Sequence, residues 1–274
     1  MKKNGIQRIS AAFAKTRSER RAALMPYLTL GHPTPEASLE RIEAAVAAGA
    51  DLLELGVPFS DPLADGPTIQ RATQIALQEG MTVARCLQAV GALRQRGITT
   101  PFILMGYFNP ILAYGIDAYC RACSEAGIDG LIVPDLPPEE GIELETACRA
   151  HGLALIYLLA PTSPPARVQL ICERSQGFVY LVSITGTTGA RDSLPADLPS
   201  FVDRVRAVTD KPLAVGFGIS RPEQAARVAA LADGVIVGSA IVRLAERPDG
   251  PVQVQALVRA LRDAVAPHTS KRPG

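Results

Sequence analysis

Glu54 interrupts the apolar run D-L-L-E-L-G-V at residues 51–57, and Asp61 and Asp65 follow it within eleven residues. An ionised carboxylate is costly among apolar side chains unless it is paired, so burial moves its pKa upward toward neutrality. A carboxyl group poised there can give a proton and take one back, which is the requirement of general acid/base catalysis. A plainer role also fits, a glutamate salt-bridged to a neighbouring strand. Asp65, in L-A-D-G-P-T-I-Q, suits a second carboxylate of the same chemistry or the N-cap of a helix opening near Pro67. Asp61-Pro62 equally suits a turn initiator. The combination favours chemistry: one carboxylate on the apolar run and two on the loop after it, with Pro58, Pro62 and Pro67 stiffening the path.

Two small-residue clusters lie near the other end of the chain. G-F-G-I-S at 216–220 contains Gly218, and G-S-A at 238–240 contains Gly238 and Ser239. Small residues let backbone N–H groups approach an anion, and a helix opening there adds a favourable dipole. Either cluster alone is explained by a tight turn. A third segment, T-G-T-T-G-A-R-D-S-L-P at 185–195, reads as a mobile lid or an ordinary surface loop. It has no G-K-[ST], so it is not a nucleotide P-loop. His32, His151 and His268 are scattered without metal spacing, and no G-x-S-x-G nucleophile or hydride-transfer signature is present. Cys120 and Cys123 form a C-x-x-C inside a helical pattern, which reads as helix packing and not as a redox or zinc site.

The elements that must hold these residues follow from a recurring unit. A helical, Ala-rich segment ends, an Asp follows, and a short apolar run comes next, at 47–56, 125–135 and 230–239. Such runs suit parallel strands covered on both faces. Further strands are expected at Met25–Leu30, Phe102–Tyr107, Leu153–Leu159, Phe178–Ser183 and Pro212–Phe217, each followed by a loop and a helical pattern. Eight strands alternating with eight helices in 274 residues predict an α/β fold, a (β/α)8 TIM barrel. A doubly wound sheet, with its usual five or six strands, would leave runs over. The spacing of Ile6, Ile9 and Phe13 predicts an additional N-terminal helix, and residues 1–267 are expected to form one domain with a disordered tail at 268–274.

In that frame Glu54 shares strand parity with Leu52 and Gly56. It stands at the C-terminal end of the second strand, where barrel enzymes carry their chemistry. The two glycine clusters follow the seventh and eighth strands, the recurrent phosphate site of the fold.

Lys plus Arg number 28 against 27 Asp plus Glu, which gives no field for nucleic acid or a membrane surface. Apolar runs such as Leu153–Ala160 are far short of the roughly 20 residues of a membrane span. No secretory h-region follows the N-terminal charges, and the five cysteines fit a reducing cytoplasm. The residues alone thus point to a barrel enzyme, with no cofactor or metal site of its own, doing carboxylate acid/base chemistry on a phosphorylated substrate.

The stretch L-E-L-G-V-P-F-S-D-P-L-A-D-G-P-T-I-Q at 53–70 resembles the signature of the tryptophan synthase alpha subunit family. The resemblance extends through P-Y-L-T-L-G-H-P at 26–33, M-G-Y-F-N-P at 105–110, V-P-D-L-P-P-E-E at 133–140, S-I-T-G-T-T-G-A-R at 183–191, and the two glycine clusters, the second as G-S-A-I-V at 238–242. It implies retro-aldol cleavage of indole-3-glycerol phosphate to indole and glyceraldehyde 3-phosphate. Glu54 would be the acid/base at indole C3 and the glycerol hydroxyl, and Asp65 would hold the indole N–H. Phosphate would fall to Gly189, Gly218, Gly238 and Ser239. Tyr27, Ile69, Tyr107, Tyr180 and Phe217 would form the indole pocket, Thr188 would close the lid onto Asp65, and Asp135 would support the site.

The resemblance also implies a beta subunit carrying pyridoxal phosphate in an α2β2 complex, with Pro58 and Asp61 on the partner loop. His32 and Ile184 depart from residues common in the family, which weakens transfer of the subunit contacts. The alternatives are a free-standing indole-3-glycerol phosphate lyase without a beta subunit, and a non-catalytic chain that only activates a partner.

Overall fold

Short apolar runs bounded by Gly, Pro and Asp form parallel strands, and the longer amphipathic stretches between them form helices. The computed structural model describes residues 4–182, 195–216 and 218–266. The chain opens with α1 (Gly5–Ser18), β1 (Ala23–Thr29), α2 (Pro35–Ala47), β2 (Leu53–Gly56), α3 (Pro67–Gln78), α4 (Val83–Gln95) and β3 (Phe102–Met105). It continues with α5 (Phe108–Tyr114), α6 (Ile116–Ala126), β4 (Gly130–Ile132), α7 (Ile142–Ala150), β5 (Ala154–Ile156), β6 (Leu158–Leu159) and α8 (Pro165–Arg174). It closes with β7 (Val179–Val182), α9 (Leu198–Arg206), β8 (Leu213–Gly216), α10 (Pro222–Ala229), β9 (Gly234–Val237), α11 (Ser239–Ala245) and α12 (Gly250–Ala264).

All strand pairs are parallel, in the order β5-β4-β3-β2-β1-β9-β8-β7-β6. Strands β5 and β6 are two halves of one stave broken at Tyr157. There the Tyr157 N–H turns to Ser175 Oγ (3.1 Å), while its carbonyl accepts from Tyr180 N–H (3.2 Å). Joining the two halves closes the sheet into the TIM barrel, so the expected seventh and eighth strands are β8 and β9.

Inward side chains, among them Met25, Leu52, Ile103, Ile156, Phe178 and Ile236, fill the barrel. Helix α1 adds Ile9 and Phe13 to that cluster, with the Phe13 and Phe178 rings 5.5 Å apart. Outward side chains such as Leu53, Leu55 and Leu104 pack under the helices. The extra N-terminal helix is therefore part of the core. The expected count of eight barrel helices is corrected: the connections after β2, β3 and β9 each contain two helices. Between α3 and α4 the chain turns at Gly80, with φ 75°, and restarts at Thr82, whose side chain accepts from Arg85 N–H.

The aspartate of the recurring unit has one use at all three places. Asp51, Asp129 and Asp233 donate their N–H to the carbonyls of Leu24, Phe102 and Leu213 at 2.9, 2.8 and 2.9 Å. Their carboxylates accept the N–H of the same three residues at 2.9, 2.8 and 2.9 Å. Each also meets an arginine from the preceding connection: Arg21 with Asp51, Arg94 with Asp129, and Arg206 with Asp233. These clamps lie at the N-terminal ends of the strands, the face of the barrel associated with stability. Cys120 and Cys123 lie buried on α6 as free thiols, in keeping with a packing role.

Candidate active site

The period-two alternation of β2 sends Leu52 and Glu54 into the barrel and Leu53 and Leu55 beneath the helices. Glu54 is 1% exposed and stands in register beside Tyr27 of β1. Burial raises its pKa to about 8, the charge of Asp65 adds to the rise, and a hydrogen bond from the Tyr180 hydroxyl opposes it. Among the described residues Glu54 Oε2 has no hydrogen-bond partner. Two strand glycines seat the flanking rings. A Cβ on Gly56 would lie 2.0 Å from Tyr27 Oη, and one on Gly216 would lie 2.5 Å from Tyr180 Oη.

Asp65 reaches the same space from the loop after β2. The Tyr107 hydroxyl donates to its carboxylate (3.1 Å) and accepts from Ala64 N–H (3.0 Å). Gln70 of α3 donates to the Asp65 carbonyl at 2.9 Å, tying the loop to the helix after it. The N-cap of α3 is Gly66, with no side-chain cap, so Asp65 is not the helix cap that its spacing also allowed. Burial raises Asp65 to about 6, with the Tyr107 hydrogen bond pulling the other way. Between those two values Glu54 is mainly neutral and Asp65 mainly ionised. A proton donor and an acceptor of positive charge thus share one cavity.

That cavity, about 850 Å³, is lined by Glu54, Asp65, Tyr27, Ile69 and Tyr180, and by Gly218, Gly238 and Ser239. It brings together carboxylates from β2 and its loop with the backbone corners after β8 and β9. Asp135 also reaches the wall, and its carboxylate accepts from Phe108 N–H at 3.0 Å. Tyr107 stands one step behind the wall, holding Asp65, so its expected place in the indole pocket becomes a supporting one. Pro58 is buried and Asp61 exposed on the loop rim. Thr188, Gly189 and Phe217, together with the expected lid and tail, lie outside the described residues.

Sequence reasoning missed Met105 and Leu158, which line the cavity at the ends of β3 and β6. Parity would have found Met105, two residues beyond the inward Ile103. Leu158 keeps inward parity with Ile156. The signal at Gly56 and Gly216 was a glycine inside a strand, which marks close approach of another group.

A closed parallel barrel with two carboxylates of opposite poise at the C-terminal ends of its strands defines a barrel lyase working by acid/base chemistry. Comparison with known proteins makes the assignment particular. The family model described as Tryptophan synthase alpha chain matches residues 13–266. The tryptophan synthase alpha chain of Chloroflexus aggregans is 51% identical over 261 residues, covering 95% of this chain and 98% of that one. That of Chloroflexus aurantiacus is 51% identical over 264 residues, covering 95% and 99%. A solved structure of Mycobacterium tuberculosis tryptophan synthase superposes with a TM-score of 0.89 at 42% identity, covering 97% of this chain and 100% of that one.

The chain belongs to the tryptophan synthase alpha chain family. It is a lyase of tryptophan biosynthesis that cleaves indole-3-glycerol phosphate to indole and glyceraldehyde 3-phosphate. The alpha chain lacks a cofactor; pyridoxal phosphate belongs to the beta chain with which the family works. No described helix is long and apolar enough to cross a membrane.

Proposed function

We propose that Glu54 and Asp65 carry the cleavage between them. Neutral Glu54 delivers its proton to indole C3, and ionised Asp65 accepts the indole N–H and balances the positive charge of the indolenine. The Glu54 carboxylate then takes the proton of the glycerol hydroxyl next to the scissile bond. The C–C electron pair returns to the ring, and indole and the aldehyde separate with Glu54 protonated again. Tyr27, Ile69, Tyr180 and Phe217 flank the indole, with Tyr107 fixing Asp65. Gly189, Gly218, Gly238 and Ser239 take the phosphate, largely through backbone N–H groups, and Thr188 closes over Asp65.

The observation that carries this reading is the opposite poise of two carboxylates on one cavity wall. Glu54→Gln and Asp65→Asn are each expected to lower the rate of indole formation by about 10²–10⁴-fold. Indole formation at the wild-type rate in both would sink the assignment.

The same reading takes residues 1–267 as one barrel domain that joins the beta chain as α2β2 in the cytoplasm. The loop at Pro58 and Asp61 would lie against that partner. Its support is an apolar rim on the end of the barrel that carries the cavity. Leu63 is 92% exposed on the loop after β2, and Leu112, Tyr114 and Ile142 stand exposed on the connections after β3 and β4. Neighbouring exposed apolar side chains of this kind mark protein contacts. Five unpaired thiols support the reducing compartment. Adding a beta chain should raise indole formation by this chain. Full activity alone, with no association in sedimentation, would instead establish the free-standing lyase.

A further inference from the structure

Helix α11 is only seven residues long, and its first residue, with Gly238 before it, forms one corner of the cavity. A helix this short leaves most of its terminal carbonyls without partners of its own. At the far end, one side chain from a distant element supplies them. Arg41 of α2 is 5% exposed; its Nε donates to Ala245 O (2.8 Å) and its Nη2 to Arg247 O (3.2 Å). Its Nη1 donates to Ala37 O within α2 at 3.0 Å, so the guanidinium is fixed at both ends. A planar guanidinium can span two carbonyls in this way, and a cation there also complements the negative end of the helix.

Room for the guanidinium comes from Gly250, where a Cβ would fall 2.8 Å from Arg41 Nη2 and 2.9 Å from Ala245 O. The next residue, Glu246, pairs with Arg71 of α3, the helix that begins two residues after Asp65. The far end of α11 is therefore where α2 and α3 are both fastened to it.

We propose that Arg41 is a positioning residue for the substrate's phosphate: it sets the tilt of α11 and thereby the place of the Gly238–Ser239 corner relative to Glu54 and Asp65. This rests on the reading of that corner as a phosphate site. Arg41 touches neither the carboxylates nor the indole, so its loss should act on phosphate recognition and not on proton transfer.

The test measures indole formation together with competitive inhibition by glycerol 3-phosphate and by indole. In the wild type, glycerol 3-phosphate should compete with substrate; failure to compete there refutes the phosphate reading itself. If it does compete, Arg41→Ala should raise KM and the glycerol 3-phosphate Ki in parallel by about tenfold, since small misplacements of binding groups cost this much or more. The kcat, its pH limbs and the indole Ki should stay within about twofold of wild type. Gly250→Ala, which crowds the guanidinium without removing it, should move the same two constants in the same direction, and it serves if Arg41→Ala does not fold. Unchanged Ki values in the folded variants, or equal weakening of indole and glycerol 3-phosphate, would overturn the proposal.

Discussion

Replacing Glu54 by glutamine should stabilise the protein while abolishing its chemistry, and the gain should depend on pH in a calculable way. Burial holds the Glu54 carboxyl at about 8 in the folded chain, against 4.5 when it is free. The folded state therefore binds this proton more tightly than the unfolded state does. Its contribution to stability is fully present below pH 4.5 and is lost as pH rises through about 8. More than a thousandfold in proton affinity separates the two values, worth about 5 kcal/mol above pH 8 and about 3 kcal/mol at pH 7. Glu54 is 1% exposed, so solvent screening takes little from that figure. Glutamine has nearly the same shape and no proton to lose, and every other titrating group cancels between the two proteins. Urea unfolding of wild type and Glu54→Gln at half-unit steps from pH 5 to 9 reads the difference directly. The variant should gain relative to wild type by about 3 kcal/mol between pH 5 and pH 8 or 9. A difference that stays flat, or one that moves toward the wild type as pH rises, would refute the assignment of a buried, protonated Glu54.

Activity should follow the two carboxylates in opposite senses. The kcat/KM for indole formation should be bell-shaped, rising through about 6 as Asp65 ionises and falling through about 8 as Glu54 loses its proton. At pH 5 and at pH 9 only about a tenth of the pair stands in the productive form, so both limbs should lie about eightfold below pH 7. A profile still rising at pH 9 would contradict the role of Glu54. Tyr107→Phe removes the hydrogen bond that holds Asp65 down, so the lower limb should move to higher pH; a limb that stays in place would separate Tyr107 from Asp65. At the other end of the barrel, Asp129→Asn should lower stability by about 3 kcal/mol, because it leaves the guanidinium groups of Arg8 and Arg94 without their carboxylate. Its kcat/KM at 25 °C should match the wild type, and a specific loss of kcat in a fully folded variant would show that the clamp reaches the site.

How much of this was open to reading depended on the distance over which each residue acts. Glu54 could be placed from its own strand, since side-chain parity is local and a carboxylate in an apolar run needs a task or a partner. The recurring Asp was visible as a pattern, but its meaning was not. Each Asp binds the N–H of a residue 27, 27 or 20 positions earlier, on a strand that neighbours it only after the barrel closes. Tyr107 was expected against the indole because its motif matches the family. The hydrogen bonds that set it behind Asp65 join residues 42 and 43 positions apart. The doubled helices after β2, β3 and β9 were hidden because a helical pattern with one turn in it still reads as a single connection.

Arg41 is the limiting case. Its type and its place in an amphipathic helix suggest a solvated side chain, yet its partners lie 204 and 206 residues away. It is also the residue that ties the phosphate corner to the rest of the barrel in the reading above. The acid/base pair sits on one strand and its own loop, so its spacing survives in the sequence. The placement of a ligand between β2 and β9 is a property of the closed barrel, and the side chains that fix it are those whose partners only closure supplies. Substitutions at such positions should change KM, leaving the pH limbs where the carboxylates put them, and that separation is what the Arg41 and Tyr107 variants measure from opposite sides of the cavity.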